Sequence, residues 1–268
     1  MAWVTAASAA ALLGRLRERR PLVHHITNAV TINDVANVTL ALGAAPVMAH
    51  AIEEVEEMAA SAEALALNIG TLTAPVVEAM LRAGRRANAS GTPVLLDPVG
   101  AGATTFRTAQ ARRLLSELRI ACIRGNAGEI AALAGQSGTV RGVDASGRVE
   151  ALDRVAAELA RGTGAAVAAT GPVDVLTDGA RVCRLENGHP LLARITGSGC
   201  MATAAVAAFA AVERDALAAA AAGLLCFEIA AEVAAADARG PGTFRVALLD
   251  ALAALDGPTI AGRARVRP

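Results

Sequence analysis

Apolar and polar positions along the chain fall into a repeated two-part pattern: a short apolar run suited to a fully buried strand, then a longer stretch with helical spacing. PLVHHIT precedes a helix predicted over residues 33–42, APVMA precedes one over 53–61, and ALALNIG precedes one over 75–88. PVLLDPVG leads in the same way to 104–118, and IACIRGN to 127–134. After a loop-rich stretch, a helix over 148–161 leads to the apolar run AAVAATG. VDVLTDGARVCRLENG reads as two strands joined through Asp178-Gly179, a two-residue hairpin signal. The remainder is helical, over 197–212, 216–238 and 243–255, and is expected to cover one face of the sheet. Repeated β-α units imply an α/β fold with a mostly parallel central sheet, helices on both faces and a helical C-terminal end. No repeat, linker or charged tail interrupts the pattern, so one domain over residues 1–268 is expected.

Composition narrows the chemistry. A chain of 268 residues with 54% hydrophobic side chains can bury a large core, which excludes a disordered protein. All 25 basic residues are Arg, so a Walker-type lysine, a protein-kinase lysine and a lysine Schiff base are excluded. Zero formal net charge and only one Trp, four Phe and no Tyr give no footprint for nucleic acid. The uncharged apolar stretches 200–212 and 216–227 fall short of a membrane span and read as buried helices. Near the N-terminus the positive charges follow the apolar run instead of preceding it, the reverse of a secretory signal, so a cytoplasmic protein is expected. Four cysteines without a C-x-x-C pair suggest neither zinc nor disulfides.

In an open α/β sheet, ligands bind beyond the C-terminal ends of the strands, and four polar groupings fall there. Asp97 closes PVLLDPVG, with Gly100 and Gly102 allowing close backbone approach; an Asp-Pro turn and a functional carboxylate both account for it. Asn126 and Glu129 have the spacing of a capping box, which does not explain Arg124 two residues earlier. Thr170-Gly171 ends AAVAATG and is a weak signal alone. Thr196-Gly197-Ser198-Gly199-Cys200 opens a helix, where glycines let successive N–H groups converge on an anion at the positive end of the dipole. That position is expected to depress the pKa of the Cys200 thiol and give it thiolate character. Cys122, Cys183 and Cys226 read as small buried hydrophobes, the adjacent His24 and His25 point to opposite faces of a strand, and Glu53, Glu54, Glu56 and Glu57 form a solvated helix start.

With TGSGC set beside VHHITNAVTINDVANVTLALGAAPVM, LNIGTL, LLDPVGAGAT, IRGNAGEI, AATG and GPGTFRVALLDAL, the chain resembles the hydroxyethylthiazole kinases. These segments run in order from about residue 20 to residue 255. The resemblance implies a ribokinase-like fold and transfer of the γ-phosphate of ATP, with Mg²⁺, to the primary alcohol of 4-methyl-5-(2-hydroxyethyl)thiazole in thiamine salvage. It also implies a homotrimer with active sites between subunits. Carried onto this sequence, it places Met48, Asn28, Gly70 and Gly197 at the thiazole, and Arg124 and Thr170 at ATP. Asp97 and Glu129 would engage Mg²⁺ or its waters, and Gly197, Ser198 and Gly199 would form the phosphate nest. Cys200 stands where most ribokinase-like enzymes have an aspartate base, and its Ala variant would be slow where its Asp variant stays active.

Three other readings stay open at the level of sequence. A kinase for another heterocyclic alcohol, such as hydroxymethylpyrimidine, would share Asp97, the Asn126 to Glu129 segment and the nest, although ITNAVTINDVAN and APVM argue against it. A cysteine hydrolase would need His24, His25, His50 or His189 beside Cys200. A non-catalytic paralogue would bind thiazole or nucleotide without turnover.

Overall fold

The computed structural model describes residues 4–136 and 145–267. Part of the loop-rich stretch expected before the seventh helix lies outside the described residues. In chain order the elements are α1 (Ala6–Arg19), β1 (Leu22–Ile26), α2 (Ile32–Leu42), β2 (Ala45–Val47), α3 (Val55–Ser61), β3 (Ala64–Asn68) and α4 (Ala74–Ser90). Next come β4 (Val94–Asp97), α5 (Thr105–Glu117), β5 (Cys122–Asn126), α6 (Ala127–Leu133), α7 (Ala145–Thr163) and β6 (Ala166–Thr170). A β7 (Asp174–Thr177) and β8 (Val182–Leu185) pair follows, then α8 (Ser198–Ala210), α9 (Ala216–Ala236), α10 (Pro241–Ala254), α11 (Gly257–Arg263) and β9 (Val266–Arg267).

The strands form a single nine-stranded sheet in the order β2-β1-β3-β4-β5-β6-β7-β8-β9. β1 through β6 are parallel, and β7, β8 and β9 extend the sheet antiparallel. All five residues of β3 are buried, as the uninterrupted run ALALN requires of a strand covered on both faces. Its alternate side chains supply two cores: Ala64 and Ala66 pack with α1, α2 and α8 to α11, whereas Leu65 and Leu67 pack with α3 to α7.

Two helices are especially rich in alanine. α8 and α9 are apolar around almost their whole circumference because other elements surround them, and α9 is the longer, at 21 residues. Gly223 makes their close approach possible: a Cβ there would stand 2.9 Å from Cα of Val206. The helix expected over 216–238 is observed over 216–236. By length and composition α9 could cross a bilayer, yet 78% of its apolar window is buried inside the fold.

The structure also corrects the hairpin. The turn occupies Asp178 to Arg181, with Gly179 at φ +90° and the N–H groups of Ala180 and Arg181 donating to Asp178 Oδ1. Asp178 thus shapes the turn from its first corner instead of its centre. α11 and the edge strand β9 had no counterpart in the hydrophobic pattern, because a two-residue strand is too short to show a period.

Candidate active site

Parallel pairing brings the strand ends to one edge of the sheet. Asn68 of β3 is level with Asp97 of β4, and Asn126 of β5 is level with Thr170 of β6. Met48 follows the end of β2, and Asn28 lies two residues past the end of β1. Along the edge the order is therefore Met48, Asn28, Asn68 with Gly70, Asp97, Arg124 with Asn126, and Thr170. Four strand spacings separate Asn28 from Thr170, about 19 Å, the scale of a small alcohol laid end to end with a nucleotide.

The centre of this row is a hydrogen-bonded set that α8 closes. The N–H groups of Val30 and Thr31 and the hydroxyl of Thr31 all donate to Asn28 Oδ1, at 3.0–3.1 Å. Those three donors fix the amide orientation, so Asn28 Nδ2 points inward and donates to Asn68 Oδ1 (3.0 Å) and Cys200 Sγ (3.3 Å). Asn68 is fixed likewise: its Oδ1 also accepts from Gly70 N–H at 2.9 Å, and its Nδ2 donates to Asp97 Oδ2 (2.8 Å) and Cys200 Sγ (3.2 Å). The Thr203 hydroxyl, on α8, is the second donor to Asp97 Oδ2, at 2.8 Å. Asp97 is fully buried, and its other oxygen, Oδ1, has no hydrogen-bond partner.

Burial pushes the Asp97 carboxyl up to about 6 against the opposing pull of Arg124. The Cys200 thiol is likewise raised above its ordinary value, first by burial and then by the charge of Asp97, which outweigh the donors from Thr31, Asn68 and Asn28. This overturns the expectation of a depressed pKa: tertiary burial decides where the helix start alone would have favoured a thiolate. The polar partners of Cys200 Sγ are the carboxamides of Asn28 and Asn68 and the Thr31 hydroxyl, not an imidazole, an arrangement that lacks the base a cysteine nucleophile needs.

The turn into α8 is built as the glycines suggested. Gly197 is the N-cap at φ +79°, and a Cβ there would lie 2.3 Å from Thr31 Cγ2. No side chain caps the helix, and its first backbone bond runs from Met201 N–H to Gly197 O. The preceding N–H groups of Ser198, Gly199 and Cys200 are thus left for an anion. At Gly199 a Cβ would come within 2.5 Å of an Arg124 Nη, so the missing side chain lets the guanidinium lie against the helix start. Arg124 also donates to the Thr170 hydroxyl, while its Nε is buried without a partner.

Asn126 and Glu129 form the capping box of α6, and Glu129 serves a second purpose. Its Oε1 accepts from Gly100 N–H and its Oε2 from Asn126 N–H, both at 2.8 Å, tying the turn after Asp97 to the start of α6. Arg107 braces the same region, donating to the carbonyls of Ile69, Val99 and Gly70 at 2.8–2.9 Å. The sequence reading missed Asn68, Arg107 and Thr203. The signal for Asn68 was a carboxamide inside the apolar run LALNI; for Arg107 and Thr203 there was none. Met48, half-buried, packs against the same core as Cys200, and its carbonyl is hydrogen-bonded to His50 Nδ1 at 2.9 Å. Cys122, Cys183 and Cys226 are buried apolar groups, and His24 and His25 are buried with separate partners, Ala49 O and Thr39 Oγ1.

The sequence profile of the Hydroxyethylthiazole kinase family matches residues 13–257. A hydroxyethylthiazole kinase of Methanoculleus marisnigri is 58% identical over 98% of this chain and 95% of its own length. The solved structure of a hydroxyethylthiazole kinase from Pyrococcus horikoshii OT3 superposes with a TM-score of 0.90 at 46% identity, covering 97% of this chain and 98% of that one. A Bacillus subtilis pyridoxal kinase solved with ADP, 17% identical with a TM-score of 0.56 over 79% of this chain and 91% of that one, shares the fold, which is ribokinase-like. By sequence and by architecture, this chain belongs to the hydroxyethylthiazole kinase family.

Proposed function

We propose that the protein transfers the γ-phosphoryl group of ATP to the primary alcohol of 4-methyl-5-(2-hydroxyethyl)thiazole, giving the monophosphate for thiamine salvage. The observation that carries this reading is the linear order of the edge, with the Asn68–Asp97–Cys200 set midway between a Met48–Asn28 end and an Arg124–Thr170 end. Family membership and the names of its relatives support the same reaction. The whole chain, 1–268, then works as one kinase domain.

Met48, Asn28, Gly70 and Gly197 would hold the thiazole, leaving its hydroxyl beside Cys200. Arg124 and Thr170 would hold the nucleotide. Phosphoryl transfer asks little covalent work of the protein, so in-line placement and charge neutralisation dominate. The nest of Gly197, Ser198 and Gly199, with the Cys200 N–H, would receive the moving phosphoryl group, and the Arg124 guanidinium against Gly199 would offset its charge. Because Cys200 is a raised, neutral thiol, its part is to orient the hydroxyl, whose proton would leave late to an oxygen of the transferred phosphoryl group.

The residues present fit a nucleotide-borne Mg²⁺. Asp97 Oδ1 is a buried carboxylate oxygen with no partner, while both Glu129 oxygens are taken by backbone N–H groups. Among the described residues no three acidic, His or Cys side chains cluster, which suits an ion that brings phosphates and waters as most of its ligands. Asp97 would hold it directly and Glu129 through waters; when bound, it would neutralise charge on the phosphates.

A homotrimer with shared sites would cover exposed apolar side chains on two neighbouring helices. Val30, Leu40 and Val246 are 57–65% exposed on and beside α2 and α10, two helices that pack together. A cytoplasmic location accords with the burial of α9 in the core. The test is ADP formation from Mg²⁺-ATP with and without the thiazole alcohol, with hydroxymethylpyrimidine in parallel. Thiazole-dependent turnover is expected; turnover with only the pyrimidine would reassign the substrate, and thiazole binding without turnover would support the non-catalytic reading.

A further inference from the structure

Beside the nucleotide end of the site lies a second pair of acids that the mechanism above does not use. β6 ends at Thr170, and the chain turns through Gly171 to begin β7 at Asp174. Asp174 and Glu228, the latter on α9, are 2% and 6% exposed. Asp174 Oδ1 accepts from Gly171 N–H at 2.9 Å, which shapes the turn next to Thr170. Asp174 Oδ2 and Glu228 Oε2 are both buried with no N–H or hydroxyl donor, and the two carboxyl groups stand within hydrogen-bonding reach of each other. Two buried carboxylates at that separation cannot both be ionised, and a proton between them satisfies both orphaned oxygens at once.

We propose that Asp174 and Glu228 share one proton and, through that bond, lock the Thr170–Asp174 turn onto α9, so that the pair sets how tightly the protein holds its nucleotide. The proposal rests on the reading of Arg124 and Thr170 as nucleotide ligands. Both acids are positioning residues: they act through Gly171 and Thr170. Burial raises both carboxyls, and the charge of Asp174 raises Glu228 further, so the shared proton rests on Glu228.

The other charged and titratable groups facing the pair are few. Arg124, from β5, attracts both acids but is ion-paired with neither among the described residues. Cys183, from β8, is a thiol pushed up to about 12, first by burial and then by Asp174. Glu232, one turn further along α9, is held by Asn187 Nδ2 and Gly188 N–H at 3.0 Å and by Arg265 at 2.5 Å, and its charge raises Glu228 further. Loss of the shared proton would leave two facing carboxylates, push Asp174 away from α9 and draw Gly171 with it.

The experiment is calorimetric titration of Mg²⁺-ADP into the whole protein between pH 7.5 and 9.5. Wild type is expected to lose affinity by about tenfold as the proton leaves. Glu228→Gln, whose amide donates to Asp174 without titrating, should match wild-type affinity at pH 7.5 and stay flat to pH 9.5. Asp174→Asn, the reciprocal variant, should also be flat. A wild-type profile as flat as that of either variant, or a Glu228→Gln profile that falls in parallel with wild type, would overturn the proposal. Infrared absorption of a buried protonated carboxyl gives a reading independent of nucleotide: the band is expected in wild type and absent in Glu228→Gln, and its absence from wild type would overturn the proposal. Failure of wild type to bind ADP at pH 7.5 would instead strike the nucleotide reading itself.

Discussion

Replacing Asn68 with leucine tests how the active set is held, because the apolar side chain would keep the buried volume and remove every hydrogen bond of the amide. The change deletes the 2.8 Å donor to Asp97 Oδ2 and the 3.2 Å donor to Cys200 Sγ, and frees Asn28 Nδ2 and Gly70 N–H from their acceptor. Asp97 would keep one donor, Thr203, in a fully buried position. A lost hydrogen bond to a buried carboxylate costs about 1.5–3 kcal/mol, and an apparent melting point lower by roughly 3–10 °C follows for a chain of this size. If the same bonds keep Asp97 and Cys200 in line with the reacting oxygen, kcat should fall about 30- to 150-fold, or about 2–3 kcal/mol of barrier. KM for ATP should change little, since the hydrogen bonds of Asn68 run to Asn28, Gly70, Asp97 and Cys200 and not to Arg124 or Thr170. The assay is steady-state ADP release with the thiazole alcohol, beside thermal unfolding of the same preparation. A variant that melts earlier yet keeps kcat within about threefold of wild type would refute the reasoning and leave Asn68 a purely structural residue.

Three further outcomes follow from the same geometry. Gly197→Ala places a Cβ 2.3 Å from Thr31 Cγ2 at a left-handed φ of +79°, so kcat/KM for the alcohol should drop by at least about tenfold; wild-type kinetics would show that the turn yields freely. Cys200→Ala should slow kcat by about 10²-fold whereas Cys200→Asp stays active, and equal rates for wild type and the Ala variant would remove Cys200 from the mechanism. His25, fully buried and hydrogen-bonded to Thr39, has its pKa lowered to about 3 by burial. The unfolded chain takes up that proton below about 6.5 and the folded chain does not, so stability is full above that pH and declines as pH falls toward 3. The loss from His25 alone is about 2 kcal/mol at pH 5, read as the difference between wild type and His25→Gln in how far the denaturant midpoint moves from pH 7 to pH 5; the same movement in both would contradict it.

Much of the fold was legible because parallel strands buried on both faces leave long apolar runs, and the polar residues that end them stand out. Asp97, Arg124 and Thr170 were found that way, and the glycines around Ser198 announced a helix start without a side-chain cap. Asn68 escaped because its meaning lies in register: only the level pairing with Asp97 and the arrival of α8, 132 residues later, turn a strand-end carboxamide into a bridge. The ionisation of Cys200 was misjudged for a related reason. A helix start is visible in the sequence, whereas the burial and the Asp97 charge that raise the thiol are properties of the assembled site. Asp174 and Glu228 read as ordinary acids until folding brings a strand end and a helix face together.

The central claim is that the alcohol and the γ-phosphoryl group meet at Cys200, between the Asn28 and Thr170 ends of the sheet edge. A crystal structure of the protein with the thiazole alcohol and a non-hydrolysable ATP analogue tests it most directly. The alcohol oxygen is expected about 3 Å from Cys200 Sγ, the terminal phosphate on the N–H groups of Ser198 to Cys200, and the nucleotide beside Arg124 and Thr170. An alcohol bound elsewhere, or one whose hydroxyl points away from Cys200 with the nucleotide in place, would contradict it.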